Sequence, residues 1–120
     1  MRLLLLGGLL VAACVQAQTP YPAKPIRLIV PFPPGGSTTI VARLYSQKLI
    51  DTWGQQVVVE NRAGASGTIG ADAVAKSTPD GYTVLLTSSA HVITPSIMAK
   101  VPYDPIRDFT PVSVMMSSPL

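Results

Sequence analysis

Three turns rich in glycine, serine and threonine are the parts of this sequence whose residue types could bind a ligand. Each follows a short apolar run typical of a buried strand: turns 34–38, 63–68 and 87–90 follow runs 26–32, 57–60 and 82–86, respectively. In an open parallel sheet, ligands bind outside the carboxyl ends of the strands. The three turns therefore indicate a receptor for a small anion, built from backbone N–H groups and hydroxyls.

The first two turns carry the residue types that an anion site needs. Gly35 and Gly36 let the backbone approach a ligand closely, and Ser37 and Thr38 add hydroxyl donors. The second turn repeats the pattern ahead of its own helix, whose N-terminus presents free N–H groups and a partial positive charge to a carboxylate. Helix capping alone explains any one such turn, and three together weaken that explanation without removing it.

Other classes of site find little support in the sequence. The phosphate loop requires a Gly-Lys pair that the sequence lacks, and Gly64, Gly67 and Gly70 do not have the spacing of the dinucleotide fingerprint. His91 is the only histidine, and no paired carboxylates, metal-ligand cluster or nucleophile–base spacing stands out. We therefore expect no catalytic residue, no metal and no cofactor. The net charge of +3 is spread along the chain, so no basic patch indicates nucleic acid.

The elements that hold these turns are predicted in the order strand, helix, strand, helix, strand. The predicted strands are 26–32, 57–59, 82–86 and, as a fourth candidate, 112–116; the helices run from Ser37 or Thr38 to Trp53, over 69–76 and over 95–99. Helical spacing predicts an apolar face on the first helix, made of Ile40, Val41, Leu44, Tyr45 and Leu49. Strands joined by helices imply right-handed crossovers and a parallel sheet, so the fold class is α/β.

Residues 1–17 have the pattern of an export signal. Arg2 precedes an uncharged apolar run, and Val15-Gln16-Ala17 fits a signal-peptidase site, so we predict a signal peptide at 1–17 and a mature domain at 18–120. The alternative is lipoprotein processing at Cys14. The apolar run is too short to span a bilayer, which takes about 20 residues. Either signal predicts a periplasmic protein, and cleavage after Ala17 leaves no cysteine for a disulfide.

Five stretches of the sequence together resemble the Bug family, the TctC-type periplasmic solute receptors of tripartite tricarboxylate transporters. They are YPAKPIRLIVPFPPGG at 21–36, VVVENRAG at 57–64, PDGYT at 79–83, PYDP at 102–105 and DFTPV at 108–112. The resemblance covers essentially all of 18–120. It implies the first lobe of a two-lobed, hinged periplasmic-binding-protein fold of the Venus-flytrap, type II-like kind. Family members are considerably longer, so we expect a fragment that approaches the hinge and largely lacks the second lobe.

The resemblance also implies which residues hold the ligand. In the family, the loops after the first two strands hold one carboxylate of the solute, partly through backbone N–H groups and ordered water. Carried over by position, the ligand-binding residues are Gly35, Gly36, Ser37, Thr38, Gly64, Ala65, Ser66 and Gly67, with Ser88 and Ser89 as weaker candidates. The family commonly has an acidic residue where this chain has Thr39, which leaves the rigidity of the first loop and the ligand preference open.

We therefore expect an extracytoplasmic solute-binding protein that is not an enzyme. It would capture a small carboxylated solute as a monomer and deliver it to membrane transporter subunits. One alternative is a secreted α/β hydrolase or transferase fragment, for which Ser37 or Ser88 with His91 is the only conceivable pair of nucleophile and base. Another is a solute-sensing module that signals to a membrane partner.

Overall fold

A three-stranded parallel sheet organises the protein, whose computed structural model describes residues 18–117. In chain order the elements are β1 Ile26–Val30, α1 Ser37–Trp53, β2 Val57–Asn61, a 3-10 turn Ala65–Gly67, α2 Thr68–Ala75, β3 Thr83–Leu85 and α3 Ala90–Ile97. The order across the sheet is β2-β1-β3, and both neighbours run parallel to β1. The predicted parallel α/β arrangement is therefore confirmed.

Parallel pairing brings the carboxyl ends of the three strands to one edge of the sheet. Val30 of β1 lies opposite Asn61 of β2, and Ile29 lies opposite Leu85 of β3. The ladder extends beyond β2, where the Arg62 N–H donates to the Val30 carbonyl at 2.8 Å. The three turns predicted from the sequence thus leave the sheet at the same edge.

The two faces of β1 pack against different helices. Side chains at alternate positions from Ile26 to Val30 form a buried cluster with Ala42 of α1. Ile29 is equally buried but points to the opposite face, and α2 contacts β1 and β3. The crossovers from β1 to β2 and from β2 to β3 run in opposite directions across the sheet. Right-handed crossovers therefore place α1 and α2 on opposite faces.

Helix α1 buries a different face from the one that the sequence predicts. Its buried residues are Thr39, Ala42 and Ser46. Ile40 and Leu44 are 56% and 68% exposed, and of the predicted face only Leu49 packs against the core cluster. Small side chains let α1 lie close to the sheet, and the Ser46 hydroxyl is satisfied by the Arg43 carbonyl at 2.9 Å. The predicted apolar face is therefore wrong for most of its residues.

The structure agrees with the predicted ends of two helices and differs from the predicted start of the third. Helix α1 ends as expected at Gly54, whose φ of 69° and N–H bond to the Ile50 carbonyl form a left-handed cap. Helix α2 agrees within one residue with the predicted 69–76. Helix α3 begins at Ala90 instead of Pro95, which lies inside it. Proline cannot donate to the carbonyl four residues earlier, and the Tyr103 hydroxyl donates to that carbonyl, of His91, at 3.4 Å instead.

The fourth predicted strand, 112–116, is not a strand in the structure. Val112 and Val114 are 86% and 84% exposed, and the segment is held by the Tyr45 hydroxyl, which donates to the Met115 carbonyl at 3.0 Å. An apolar cavity of about 340 Å³ is lined by Val112 and Met115 together with Val84 of β3. A strand needs a hydrogen-bonding neighbour, and no described residue pairs with the outer edge of β3.

The leader predicted at 1–17 lies outside the described residues, as does the segment 118–120. Cleavage after Ala17 and lipidation of Cys14 therefore stay predictions. Among the helices of residues 18–117, none is long and apolar enough to cross a membrane.

Candidate functional site

The first turn leaves N–H groups without partners at the start of α1. Gly36 is the N-cap residue, and no side chain caps the helix. Its carbonyl accepts from the N–H groups of Thr39 and Ile40, whereas those of Ser37 and Thr38 have no partner within residues 18–117. Helix α1 begins at Ser37, as predicted, and neither the Ser37 nor the Thr38 hydroxyl caps it. Both N–H groups lie at the positive end of the helix dipole.

The second turn has four consecutive residues with positive φ. They are Gly64 (132°), Ala65 (47°), Ser66 (57°) and Gly67 (87°). Glycine adopts such angles freely, but in alanine and serine they cost about 1–2 kcal/mol each. Among the described residues, the N–H groups of Ala65 and Ser66 have no partner. Successive N–H groups in such a turn form a concave nest that attracts anions, and strained backbone of this kind is often retained at functional sites.

The second turn packs against the two residues that end the run before the first turn. A Cβ on Gly67 would lie 3.5 Å from the Cβ of Pro31 and 3.6 Å from the ring of Phe32. Within the second turn, the Thr68 hydroxyl donates to the Ala65 carbonyl at 2.9 Å. The second turn therefore lies against the segment that leads into the first turn, at the same edge of the sheet.

Asn61 and Thr39, which the sequence does not mark as ligand-binding residues, link the end of β2 to the first turn. The Asn61 amide nitrogen donates to the Phe32 carbonyl and to the Thr39 hydroxyl, both at 2.9 Å. Asn61 is the only asparagine in the chain, and it follows three consecutive valines and Glu60. Asparagine is depleted in strands, so its place at a strand end was the one signal that could have identified it.

The third turn borders the second but contributes less. Ser88 and Ser89 are exposed, and α3, which begins directly after them, contacts the Ala65–Gly67 turn. The Ser88 hydroxyl accepts from the Ala90 N–H at 3.4 Å, and Ser89 makes no side-chain cap bond. The structure therefore brings the third turn to the same edge of the sheet, where it borders the second turn.

The basic side chain closest in sequence to the second turn is already paired. Arg62 contacts the Glu60 carboxylate at 2.6 Å, and Arg27 contacts the same carboxylate at 2.8 Å. Hydrogen bonds from Arg27 first, and then from Arg62, hold the pKa of Glu60 below its ordinary value. Positive potential at the turns therefore comes from backbone N–H groups and helix ends.

His91 lies in an aromatic cluster and not beside a serine hydroxyl. Its ring stacks on Tyr103 with centroids 5.1 Å apart and meets the edge of Phe109 at 4.6 Å. A general base must lie within hydrogen-bond reach of its nucleophile, but in the described residues neither the Ser37 nor the Ser88 hydroxyl bonds to the His91 ring. The Ser88 hydroxyl accepts from the Ala90 N–H, and only the backbone joins Ser88 to His91, through the His91 N–H and the Ser88 carbonyl at 3.0 Å. No group of three histidine, cysteine, aspartate or glutamate side chains in residues 18–117 could hold a metal. The geometry gives the hydrolase alternative no support.

Acidification should destabilise the protein through His91. Burial lowers the pKa of His91 in the folded state, and its Nδ1 has no hydrogen-bond partner among the described residues. The unfolded chain therefore takes up a proton first, near the ordinary histidine pKa of about 6.5. The contribution of uncharged His91 to the free energy of unfolding is fully present above that pH, and it is lost as the pH falls toward the folded-state pKa of His91. We expect the midpoint of thermal unfolding to fall between about pH 7.5 and pH 5.5, measured by calorimetry.

His91→Phe is the control for this prediction, because it keeps an aromatic ring against Tyr103 without a titratable group. Since His91 is the only histidine, the unfolding midpoint of the variant should change much less between these two pH values than that of wild type. An equal fall in the variant would contradict the assignment to His91.

Comparisons with known proteins agree with this architecture. The profile of a family described as "Tripartite tricarboxylate transporter family receptor" matches residues 41–120. Protein BugT of Bordetella pertussis is 54% identical over 112 residues, covering 92% of this chain and 34% of the relative. A UPF0065 protein in the tcbD-tcbE intergenic region of a Pseudomonas species is 46% identical over 99 residues, covering 82% of this chain and 30% of the relative.

Solved structures give the same result. The periplasmic binding protein BugD is 43% identical with a TM-score of 0.70, covering 74% of this chain and 30% of that one. MatC from Rhodopseudomonas palustris with bound malate is 38% identical with a TM-score of 0.72, covering 79% and 33%. A second R. palustris protein, with adipate, is 38% identical with a TM-score of 0.69, covering 72% and 29%.

The fold and these structures define the class as the periplasmic solute-binding proteins, with a single lobe represented. Within that class, the chain belongs to the tripartite tricarboxylate transporter receptor family, as its motifs imply. Its relatives are solute-binding proteins and not enzymes, which confirms the expectation of a non-enzymatic protein. The chain spans between 30% and 36% of the length of the first curated relatives it matches.

Proposed function

We propose that the first two turns bind one carboxylate of a small organic acid. The observation that carries this proposal is the presence of four N–H groups without partners in the described residues, those of Ser37, Thr38, Ala65 and Ser66, on two turns at the same edge of the sheet. Gly35, Gly36, Gly64 and Gly67 allow the ligand to approach the backbone, and Ser88 and Ser89 would border it.

The energies are sufficient for this role. A micromolar site requires about 8 kcal/mol, and each hydrogen bond to a charged group contributes about 1.5–3 kcal/mol. Four such bonds therefore account for most of a micromolar affinity before the entropy of binding is subtracted. Because the positive potential comes from N–H groups held by the fold, little reorganisation is needed when the anion arrives.

Relatives support a carboxylate as the ligand class. Two solved structures in the family hold malate and adipate, and each of these acids has two carboxylates. Since the chain covers only 33% and 29% of those proteins, we propose that the described turns hold one carboxylate and that the other is held elsewhere in a complete site.

We further propose that the protein acts in the periplasm, as a monomer that delivers its solute to the membrane subunits of a tripartite transporter. Export would follow cleavage after Ala17, or lipidation at Cys14. The family assignment supports this role.

Isothermal titration calorimetry with malate, adipate and citrate, each against its uncharged amide, tests the proposal. We expect saturable binding of at least one acid and none of its amide, because the N–H groups recognise the anion. If none of the acids binds, or if acid and amide bind equally, the carboxylate proposal is wrong.

A further inference from the structure

We infer that the Asn61 amide and the Thr39 hydroxyl, called here the strut, fix the spacing of the two turns and thereby set the affinity for the carboxylate. Neither group needs to touch the ligand, so both are positioning residues. The inference rests on the proposed function, since it concerns the same site.

The Asn61 side chain links the end of β2 to the residues on either side of the first turn. It ends β2 directly opposite Val30, and the second turn follows it in sequence. Its amide nitrogen lies 2.9 Å from the Phe32 carbonyl and 2.9 Å from the Thr39 hydroxyl. Because a carbonyl can only accept, the amide must present its NH2 group to Phe32, and both of its hydrogens are then used.

The Thr39 hydroxyl carries the link into the helix. It accepts from Asn61 and donates to the Pro33 carbonyl across a longer distance of 3.5 Å. Thr39 is only 2% exposed, so a hydroxyl or amide left without its partner there would be costly. The N–H groups of Ser37 and Thr38 come immediately before Thr39, so anchoring this residue anchors them.

The threonine hydroxyl both accepts a hydrogen bond and donates one, and it adds no charge. A carboxylate at this position could accept from Asn61 but has no hydrogen for the Pro33 carbonyl. It would also bring a negative charge next to N–H groups that we propose bind an anion. The strut in this chain is therefore neutral.

Malate affinity of Thr39→Val, Asn61→Leu and the double variant tests the strut. Each single change should weaken binding about tenfold, the effect of about 1.4 kcal/mol, because the turns lose a shared bond. The losses should not add in the double variant, since both changes break the same link. Thr39→Ser keeps the hydroxyl and should bind within about twofold of wild type.

Two matched controls make the same substitutions elsewhere on α1. Thr52→Val removes a hydroxyl that donates to the Lys48 carbonyl, and Gln47→Leu removes an amide that donates to Asp51. Both sites are exposed and lie away from the turns, so malate affinity should not change. The ¹⁵N amide shifts of the first turn, recorded without ligand, should move in Thr39→Val and not in Thr52→Val.

The outcomes separate this inference from the proposed function. If wild type binds none of the acids, the proposed function fails. If wild type binds malate and the folded Thr39→Val and Asn61→Leu variants bind it equally well, the inference that the strut sets the affinity is wrong and the proposed function stands. The same conclusion follows if the losses of affinity in the two single variants simply add in the double variant. If Asn61→Leu does not fold, the comparison of Thr39→Val with Thr39→Ser decides the question.

Discussion

Gly70→Ala should lower the free energy of unfolding by about 2–3 kcal/mol, even though alanine favours a helix over glycine by about 1 kcal/mol. A Cβ at Gly70 would lie 2.8 Å from both the Arg62 carbonyl oxygen and the Pro31 Cβ, and 2.9 Å from the Pro31 Cα. These atoms belong to the backbone or to a rigid ring, so they cannot rotate away. Helix α2 would have to move away from Pro31 and Arg62, the residues that lead into the first and second turns.

Urea denaturation measures this effect, with Ala73→Gly as the matched control in the same helix. Ala73→Gly changes helix propensity at a position without the close contact, so it should lower the free energy of unfolding by about 1 kcal/mol. If Gly70→Ala proves as stable as wild type or more stable, α2 does not pack this closely on Pro31 and Arg62, and this account of the contact is wrong.

Ser66→Pro should weaken carboxylate binding by about 100-fold or more, while Ser66→Gly should bind nearly as wild type. Ser66 has a φ of 57° and an N–H without a partner in the described residues. Proline removes that N–H and fixes φ near −65°, so the nest cannot form. Glycine keeps the N–H and adopts the angle without strain.

Ser66→Ala completes the series, because it removes the hydroxyl and keeps the N–H. If the hydroxyl contributes only one ordinary hydrogen bond, affinity should fall by no more than about tenfold. Circular dichroism would verify that Ser66→Pro is folded before its affinity is measured. Wild-type affinity in folded Ser66→Pro, or loss of binding in Ser66→Gly, would show that the backbone of this turn is not the binding element.

The framework of the fold could be predicted from sequence because its signals are local. The apolar run 26–32 contains β1, and the helix stop at Trp53-Gly54 follows from the left-handed preference of glycine. Parallel order follows from helix-sized connections, and it places the three turns at one edge. The candidate site could therefore be located before the structure was known.

Other features depend on contacts between residues far apart in sequence. The hydrogen bonds of Asn61 reach Thr39 and Phe32 across 22 and 29 positions, which no local pattern encodes. Helix α3 extends through Pro95 because the distant Tyr103 satisfies the carbonyl that proline leaves free. Apolar spacing on α1 predicted the wrong face, because small residues at Ala42 and Ser46 allow close packing.

An NMR titration of the ¹⁵N-labelled protein with malate tests the central claim most directly, because it reports each backbone N–H separately. We predict saturable downfield shifts of the amides of Ser37, Thr38, Ala65 and Ser66, with no comparable shift on addition of the diamide. Saturable shifts confined to another region, such as the apolar cavity beside Val84 and Met115, would contradict the claim, as would the absence of any saturable shift.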